Sequence, residues 1–397
     1  MKRLGLLYST IIVICLIFSI SCASPATKHI EQGDAYYQQG QWEQAITEYE
    51  EACKIALSAE LNSKLASAYA QQAIVYYDKK EYDNAIADYE KARSLLPTIE
   101  VNPKLADAYA QRAKVHYDNR EYDKAIADYG VAIDLDPNYA IAYNWRGGAY
   151  SEKGEYDKAI SDFSKEIELD PNNASAYVSR GVAYAEKKEY DKAIADYTKA
   201  IQLDPNFADA YCWRAKAYDY NEQYDKAITD LNKAIELDSD SDFAYFLRGY
   251  SYAEKKDYDK AIADYSKAIE LDPNFAETYW RRGEAYAYKG QYNQAITNYN
   301  KAIDLDPKLD FAYFLRGYSY AEENEYDKAV ADYYKAIELN PSQSVYFLYR
   351  GISYYVMGYN DQAITDFNKA IELDPASVAM ANLFLERIRE GKKAGTQ

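Results

Sequence analysis

Glu189–Asn206 reads EYDKAIADYTKAIQLDPN, and near copies of it return along almost the whole chain. The proline-closed turn at its end recurs at Pro137, Pro171, Pro205, Pro273, Pro307, Pro341 and Pro375. All lie on one 34-residue grid, and Pro103 and Ser239 fall on it too. A fixed period of this size is the signature of a stacked repeat array. Within one copy, Tyr177, Gly181 and Tyr184 sit at i, i+4 and i+7, the spacing of one helical stripe. After a turn at Lys187–Glu189, Tyr190, Ala193, Tyr197 and Ala200 make a second stripe, extended by Ile194 and Ile201. Small residues at Gly181, Ala193 and Ala200 let the two helices approach while the tyrosines fill the space beside them. Asp191 suits the positive end of the second helix, Pro205 stops it, and Asn206 stands where it would cap the next. Neither helix buries its stripe alone, so the unit makes sense only in a stack.

These residues resemble the tetratricopeptide repeat, a 34-residue helix–turn–helix. Its pattern of aromatic, small, aromatic, aromatic, alanine, aromatic, alanine and proline falls on Tyr109, Ala113, His116, Tyr122, Ala125, Tyr129, Ala132 and Pro137. The resemblance covers ten copies and implies an all-α, right-handed superhelical solenoid with a C-terminal capping helix. The expected repeats are 26–59, 66–99, 106–139, 140–173, 174–207, 208–241, 242–275, 276–309, 310–343 and 344–377. Repeats one and two are each followed by six extra residues that lengthen a helix or a loop. Residues 377–390 are the capping helix, with Met380, Leu383, Phe384 and Ile388 on its apolar stripe, and 391–397 a tail. A second period overlies the first. AIADY or AVADY marks repeats three, five, seven and nine, and FAYFLRGYSYAE occurs identically at 243–254 and 311–322, so a two-repeat unit was duplicated.

Residues 1–21 are different in kind. Lys2 and Arg3 precede an apolar run and small residues, which reads as a secretory signal. Cys22 after Ser19-Ile20-Ser21 resembles the lipobox of bacterial lipoproteins, with Ser19 where that motif usually has Leu. The resemblance implies lipidation at Cys22, a tether over 22–27, and an exported protein anchored in the cell envelope. A cleaved secreted form and an uncleaved anchor are the alternatives.

The formal charge of −18 repels phosphate backbones, which excludes nucleic acid as the expected partner. Cys53 and Cys212 lie nearly five repeats apart, too far for a disulfide. No phosphate-binding glycine loop, HExxH, CxxC or serine elbow occurs, so neither an enzyme nor a cofactor is expected. His29 and His116 occupy aromatic places of the repeat and read as packing substitutes. Asp238–Asp242 begins like a calcium loop but has Phe243 where the loop needs Gly, so no metal is expected. Glu166 replaces a small residue and loosens the fourth repeat.

Two rows of side chains remain. Arg112, Arg146, Arg180, Arg214, Arg248, Arg282, Arg316 and Arg350 stand one per repeat. Asp128, Asp162, Asp196, Asp230, Asp264, Asn298, Asp332 and Asp366 follow sixteen residues later in the partner helix. An internal link bracing each helix pair, such as Arg180–Asp196, Arg248–Asp264 or Arg316–Asp332, is the favoured reading over a ladder that holds an acidic partner. On the first helices, Phe243, Phe246, Tyr250, Trp280, Phe311, Phe314 and Tyr318 form a face offset from the helix-pairing stripe. In tetratricopeptide proteins that face lines a concave groove for peptides or helices. The resemblance therefore implies a non-catalytic scaffold with a peptide or helix of a protein partner in an aromatic groove. Rings packed against one another, with little exposed, are the structural alternative. Carbohydrate stacking on Trp280 is the functional one.

Overall fold

A computed structural model describes residues 24–374 and 378–391, and every regular element in them is an α-helix. The signal at 1–21, Cys22, Ser377 and residues 392–397 lie outside the described residues. The helices fall into two compact units that divide between Lys187 and Lys188. The first holds α1 (Pro25–Gln38), α2 (Trp42–Ile55), α3 (Ala59–Asp78), α4 (Tyr82–Leu95), α5 (Asn102–Asp118), α6 (Tyr122–Leu135), α7 (Ala140–Glu152), α8 (Tyr156–Leu169) and α9 (Ala174–Glu186). The second holds α10 (Tyr190–Leu203), α11 (Ala208–Tyr220), α12 (Tyr224–Leu237), α13 (Asp242–Glu254), α14 (Tyr258–Leu271), α15 (Ala276–Tyr288), α16 (Tyr292–Leu305), α17 (Asp310–Glu322), α18 (Tyr326–Leu339), α19 (Ser344–Met357), α20 (Asn360–Leu373) and α21 (Val378–Arg389). Odd-numbered helices up to α19 open a repeat, even-numbered ones close it, and within each unit consecutive pairs pack side by side.

Within each unit the repeats are held by one large side chain of the second helix, a ring except at Leu231. Tyr129, Phe163, Leu231, Tyr265, Tyr299, Tyr333 and Phe367 are buried at the centre of their pairs, flanked by fully buried alanines. The facing residue of the first helix must be small. A Cβ on Gly283 would lie 2.7 Å from Tyr299, and one on Gly351 2.8 Å from Phe367. The two helices are joined by a residue in the left-handed region in every repeat. Glycine takes it at Gly40, Gly154, Gly290 and Gly358, whereas Lys80, Arg120, Lys188, Glu222, Lys256 and Asn324 take it at φ 57–62°. The next residue's N–H then returns to a carbonyl five residues back, as Glu81 does to Tyr76 and Glu325 to Tyr320, which satisfies an end carbonyl of the first helix.

The extra residues between the early repeats become helix, not loop. α3 runs for 20 residues and α5 for 17, against 13 in most first helices, and Leu61, Leu65 and Leu105 are buried by the extensions. Three sequence readings need correction. Asn206 does not cap α11: its N–H bonds Asp204 Oδ1 at 3.0 Å and Phe207 stands at the N-cap, whereas Asn173 and Ser241 do cap α9 and α13. The buried stripe of α21 is Ala381 and Leu385 with Phe384, which stacks on Phe367 at 5.4 Å, and Ile388. Met380 and Leu383 face solvent. Glu166 does not loosen its repeat. It is buried, and its carboxylate takes Asn144 Nδ2 at 2.8 Å and Asn173 Nδ2 at 3.0 Å, tying α8 to α7 and to the cap of α9. No described helix is long and apolar enough to cross a membrane.

The arginine row lies inside the array. Arg112, Arg146, Arg214, Arg248, Arg316 and Arg350 each give Nε and Nη2 to the two oxygens of Asp128, Asp162, Asp230, Asp264, Asp332 and Asp366, at 2.6–2.8 Å. Arg282 meets Asn298 with a single bond of 2.8 Å. Nη1 reaches back to the preceding repeat: Arg180 to Ser164, Arg214 to Thr198, Arg248 to Asn232, Arg282 to Ser266 and Arg316 to Asn300, at 2.6–3.0 Å. Each guanidinium also lies 5.2–5.8 Å over the aromatic ring three residues earlier. Asp196 is buried in the second unit. One side chain thus joins three helices and two repeats, which leaves it little freedom to hold a partner.

Repeat two lacks this brace. Gln72 stands at the arginine's place, and Asp88, at the aspartate's, has a buried Oδ2 with no hydrogen-bond partner. Burial pushes the Asp88 carboxyl up to about 6. In the unfolded chain that carboxyl ionises near the ordinary value of about 4. The folded state therefore holds the proton more tightly, and stability falls as pH rises from about 4 through 6.

Two outcomes follow. Gln72→Arg restores the brace and raises stability at pH 7.5 by about 1 kcal/mol, with a smaller gain at pH 4.5, while Asp88→Asn removes the slope between these pH values. Urea melts at both pH values read this, and an equal or absent gain for Gln72→Arg refutes it. At the turns, Lys80→Gly and Arg120→Gly each stabilise by about 0.5–1 kcal/mol, because a left-handed non-glycine costs more than glycine's extra chain entropy. Asn324→Gly gains less, since asparagine visits that region readily. Thermal melts of the three variants separate these effects.

Candidate partner-binding face of the first helices

The first helices pair with their second helices through tyrosine and glycine, and the offset row is left to meet the next first helix. α13 and α17 carry the same FAYFLRGYSYAE sequence, yet their rings have different fates. On α17, Phe314 lies 5.1 Å from Tyr346 and 5.4 Å from Tyr349 on α19, and against Tyr333 at 5.8 Å. It is only 9% exposed. Tyr318 also meets Tyr349, at 5.7 Å. The reading of Phe314 as a groove residue is therefore corrected: it is core, because α19 supplies two tyrosines that fill the space.

On α13 the next first helix, α15, carries Thr278 and Arg281 at the places of Tyr346 and Tyr349, and the space stays open. Phe246 packs edge-on against Phe275 at 5.5 Å and on Tyr265 at 6.0 Å; Phe243 leans on Trp213 at 5.7 Å. Between α11, α13 and α15 lies a recess of about 380 Å³ walled by Phe243, Phe246, Leu247 and Phe275, with Lys216, Asp219, Tyr220 and Glu277 at its polar side. A second recess of about 560 Å³ adjoins it between α13 and α15, and Tyr250 and Arg281 line both. Trp280 stands beside them, its ring covered by the Arg281 guanidinium at 4.1 Å and its edge toward Phe311 at 5.8 Å. Phe275 and Phe311 are the exposed rings of the group, at 40% and 41%. Phe243, Phe246, Tyr250, Trp280 and Tyr318 are half-buried.

The polar groups around the recesses are strained electrostatically. Asp219 is buried, and burial pushes its carboxyl up to about 7; Ser251 Oγ, donating at 2.8 and 3.0 Å, opposes the shift and the charge of Glu254 adds to it. Burial also raises Glu284, with Glu254 adding. Burial, then the charges of Glu254 and Asp219, push the Tyr250 hydroxyl up to about 12. Sequence reasoning missed Phe275 and Glu254, and saw Arg281 and Glu284 only as nonspecific polar neighbours of Trp280. Phe275 closes a repeat, outside the two helical stripes, and the others matter only because Thr278 and Arg281 leave room. Thr278 and Arg281, standing where the helix after the second identical segment has Tyr346 and Tyr349, were the signal that could have found them. Among the described residues no group of three or more His, Cys, Asp or Glu side chains is placed to hold a metal ion.

Comparison with known proteins agrees with the geometry. Family models described as "TPR repeat" match residues 33–72, 249–290 and 283–323. Models described as "Tetratricopeptide repeat" match 66–99, 110–174, 174–207, 208–241, 311–343 and 350–377. Among solved structures, the APC/C hetero-tetramer Cut9-Hcn1 is similar at 18% identity and a TM-score of 0.51, covering 91% of this chain and 76% of that one. A tetratricopeptide repeat protein from Parabacteroides merdae is similar at 19% identity and a TM-score of 0.51, covering 62% of this chain and 98% of that one. These two likenesses speak for the fold. No match was found among curated proteins. With repeat models spread along most of its length and its second helices each burying one large side chain at the same place, the chain belongs to the tetratricopeptide repeat family.

Proposed function

We propose that this array is a non-catalytic scaffold that holds a peptide or helix of a protein partner on the face formed by α11, α13 and α15. Tetratricopeptide arrays are protein-interaction scaffolds, and the observation that carries the reading to this face is the open aromatic recess. Phe243, Phe246, Leu247 and Phe275 wall a space that the equivalent tyrosines close between α17 and α19. A partly exposed aromatic pocket with a polar rim is the usual anchor of an interface. The rings are already packed on one another, so binding costs little ordering on the protein's side. Sugar stacking on Trp280 is less well supported, since Arg281 covers a face of that ring. The signal-like 1–21 and Cys22 support a place for the scaffold in the cell envelope, tethered by a lipid on Cys22.

The test uses the full-length protein and Phe275→Ser with Phe311→Ser, two exposed positions whose change leaves the helical signal intact. Capture from an envelope extract retains a protein partner on the unaltered chain and loses it at least about tenfold on the variant, the scale of an anchor residue. A partner retained equally by both places the contact elsewhere, and capture of cell-wall glycan alone replaces the scaffold reading with the carbohydrate one. Incorporation of labelled fatty acid, abolished by Cys22→Ser, tests the anchor independently.

A further inference from the structure

Packing does not account for the larger recess between α13 and α15. Tyr265 lines it, fully buried, and its hydroxyl has no hydrogen-bond partner. The same hydroxyl is unpartnered in Tyr129, Tyr299 and Tyr333, so the orphan alone marks nothing; Tyr265 differs in opening on a recess walled by two carboxylates. Glu254, one of them, ends α13, where the helix dipole opposes a negative charge, and no ion pair reaches it among the described residues. Glu284, the other, has Arg281 at 3.7 Å. The cations at hand are poorly placed to compensate. Arg281 lies over Trp280 at 4.1 Å and Tyr250 at 5.1 Å and reaches Glu277 only at 3.4–3.5 Å, while Lys256 is exposed on the left-handed turn. The Tyr288 hydroxyl is raised first by the charge of Glu284 and then by burial.

The first repeat shows what such a recess accommodates. Tyr49, at the place of Tyr265, donates to Asp34 Oδ1 at 2.7 Å. The Lys64 ammonium, brought in by α3, lies 2.8 and 2.6 Å from the two oxygens of Asp34, and Asp34, Tyr37, Tyr49 and Lys64 line the recess together. The chain supplies its own lysine to the wall of that recess, paired with Asp34.

We propose that the recess between α13 and α15 takes a lysine side chain from the partner. Glu254 and Glu284 accept its ammonium protons, together with the orphan Tyr265 hydroxyl. The Tyr258–Tyr288 pair, stacked at 5.1 Å, and the Tyr250 ring flank its methylene stem. A residue next to that lysine is apolar and sits in the adjoining recess on Phe246 and Phe275. The assignment rests on the scaffold reading and gives its partner a chemistry: a basic, apolar segment, which a protein of formal charge −18 also attracts at long range. A metal ion is not the occupant, since no third ligating side chain joins the two glutamates.

The full-length protein panned against a random dodecapeptide display library tests this. The expected result is enrichment of lysine beside an apolar residue. In fluorescence anisotropy of a selected peptide, Glu254→Gln with Glu284→Gln weakens binding about tenfold, and Tyr265→Phe, which removes only a hydroxyl, about threefold. Replacing the peptide's lysine by norleucine costs the unaltered protein the same factor and costs the Gln variant little more, a coupling that general destabilisation does not reproduce. Selected peptides without a basic residue, insensitive to the Gln variants but lost with Phe275→Ser, overturn the lysine pocket and leave the scaffold face standing. Peptides insensitive to both sets of variants, or no enrichment over the library, overturn both.

Discussion

Everything in this protein depends on one contact: a large side chain of the second helix, nearly always a ring, pressed against the small residue of the first. A helix pair of 13 and 14 residues has too little apolar surface to be stable alone. Tyr299 against Gly283, or Phe367 against Gly351, brings the helices so close that the glycine has no room for a Cβ. That approach buries the flanking alanines completely and fixes the tilt at which the next pair must arrive. The arginine braces follow from it. With the helices this close, a guanidinium rooted on the first reaches a carboxylate on the second and still has Nη1 left for the preceding repeat. Stacking is thereby coupled to pairing through a half-buried charge that is fully hydrogen-bonded, the condition under which such a charge is tolerated.

The brace also defines what its absence means. Where asparagine replaces the aspartate, at Asn298, burial lowers Arg282 rather than its partner raising it. Where glutamine replaces the arginine, at Gln72, the carboxyl is left without that partner and burial pushes it up to about 6. Both are departures within a repeat that otherwise keeps its form, because the buried ring, not the ion pair, sets the geometry. Charge pairs here select the register between neighbours, and the apolar contact supplies most of the stabilisation.

Much of this was legible in the sequence. The 34-residue period, the helix pairs, the turn at Lys187–Glu189 and the sixteen-residue spacing of arginine and aspartate are all local features, repeated often enough to average out any one departure. Readings that failed were those in which a third element decides. Asn206 has the chemistry of a cap, but the turn engages its N–H with Asp204 and leaves the cap to Phe207. Met380 and Leu383 fit a helical stripe, yet the rings of Tyr355 and Phe367 draw Phe384 inward and rotate α21 by one residue. Phe246 and Phe314 show the limit most plainly. They occupy the same place in identical twelve-residue segments, so no reading of either segment alone separates them.

What separates them lies one repeat downstream, and this is where structure turns into function. A first helix that brings Tyr346 and Tyr349 to its neighbour completes a core; one that brings Thr278 and Arg281 leaves a recess and places charge at its rim. The duplicated two-repeat unit thus supplied the array with two copies of one aromatic face, and substitutions on the following helix closed the second copy and kept the first open. The cost of the open copy appears as raised carboxyl groups at Asp219 and Glu284, in a fold whose other buried charges are mostly paired. A repeat protein can carry such a region because its stability is a sum over neighbouring pairs, so the braced repeats on either side compensate for the one held open.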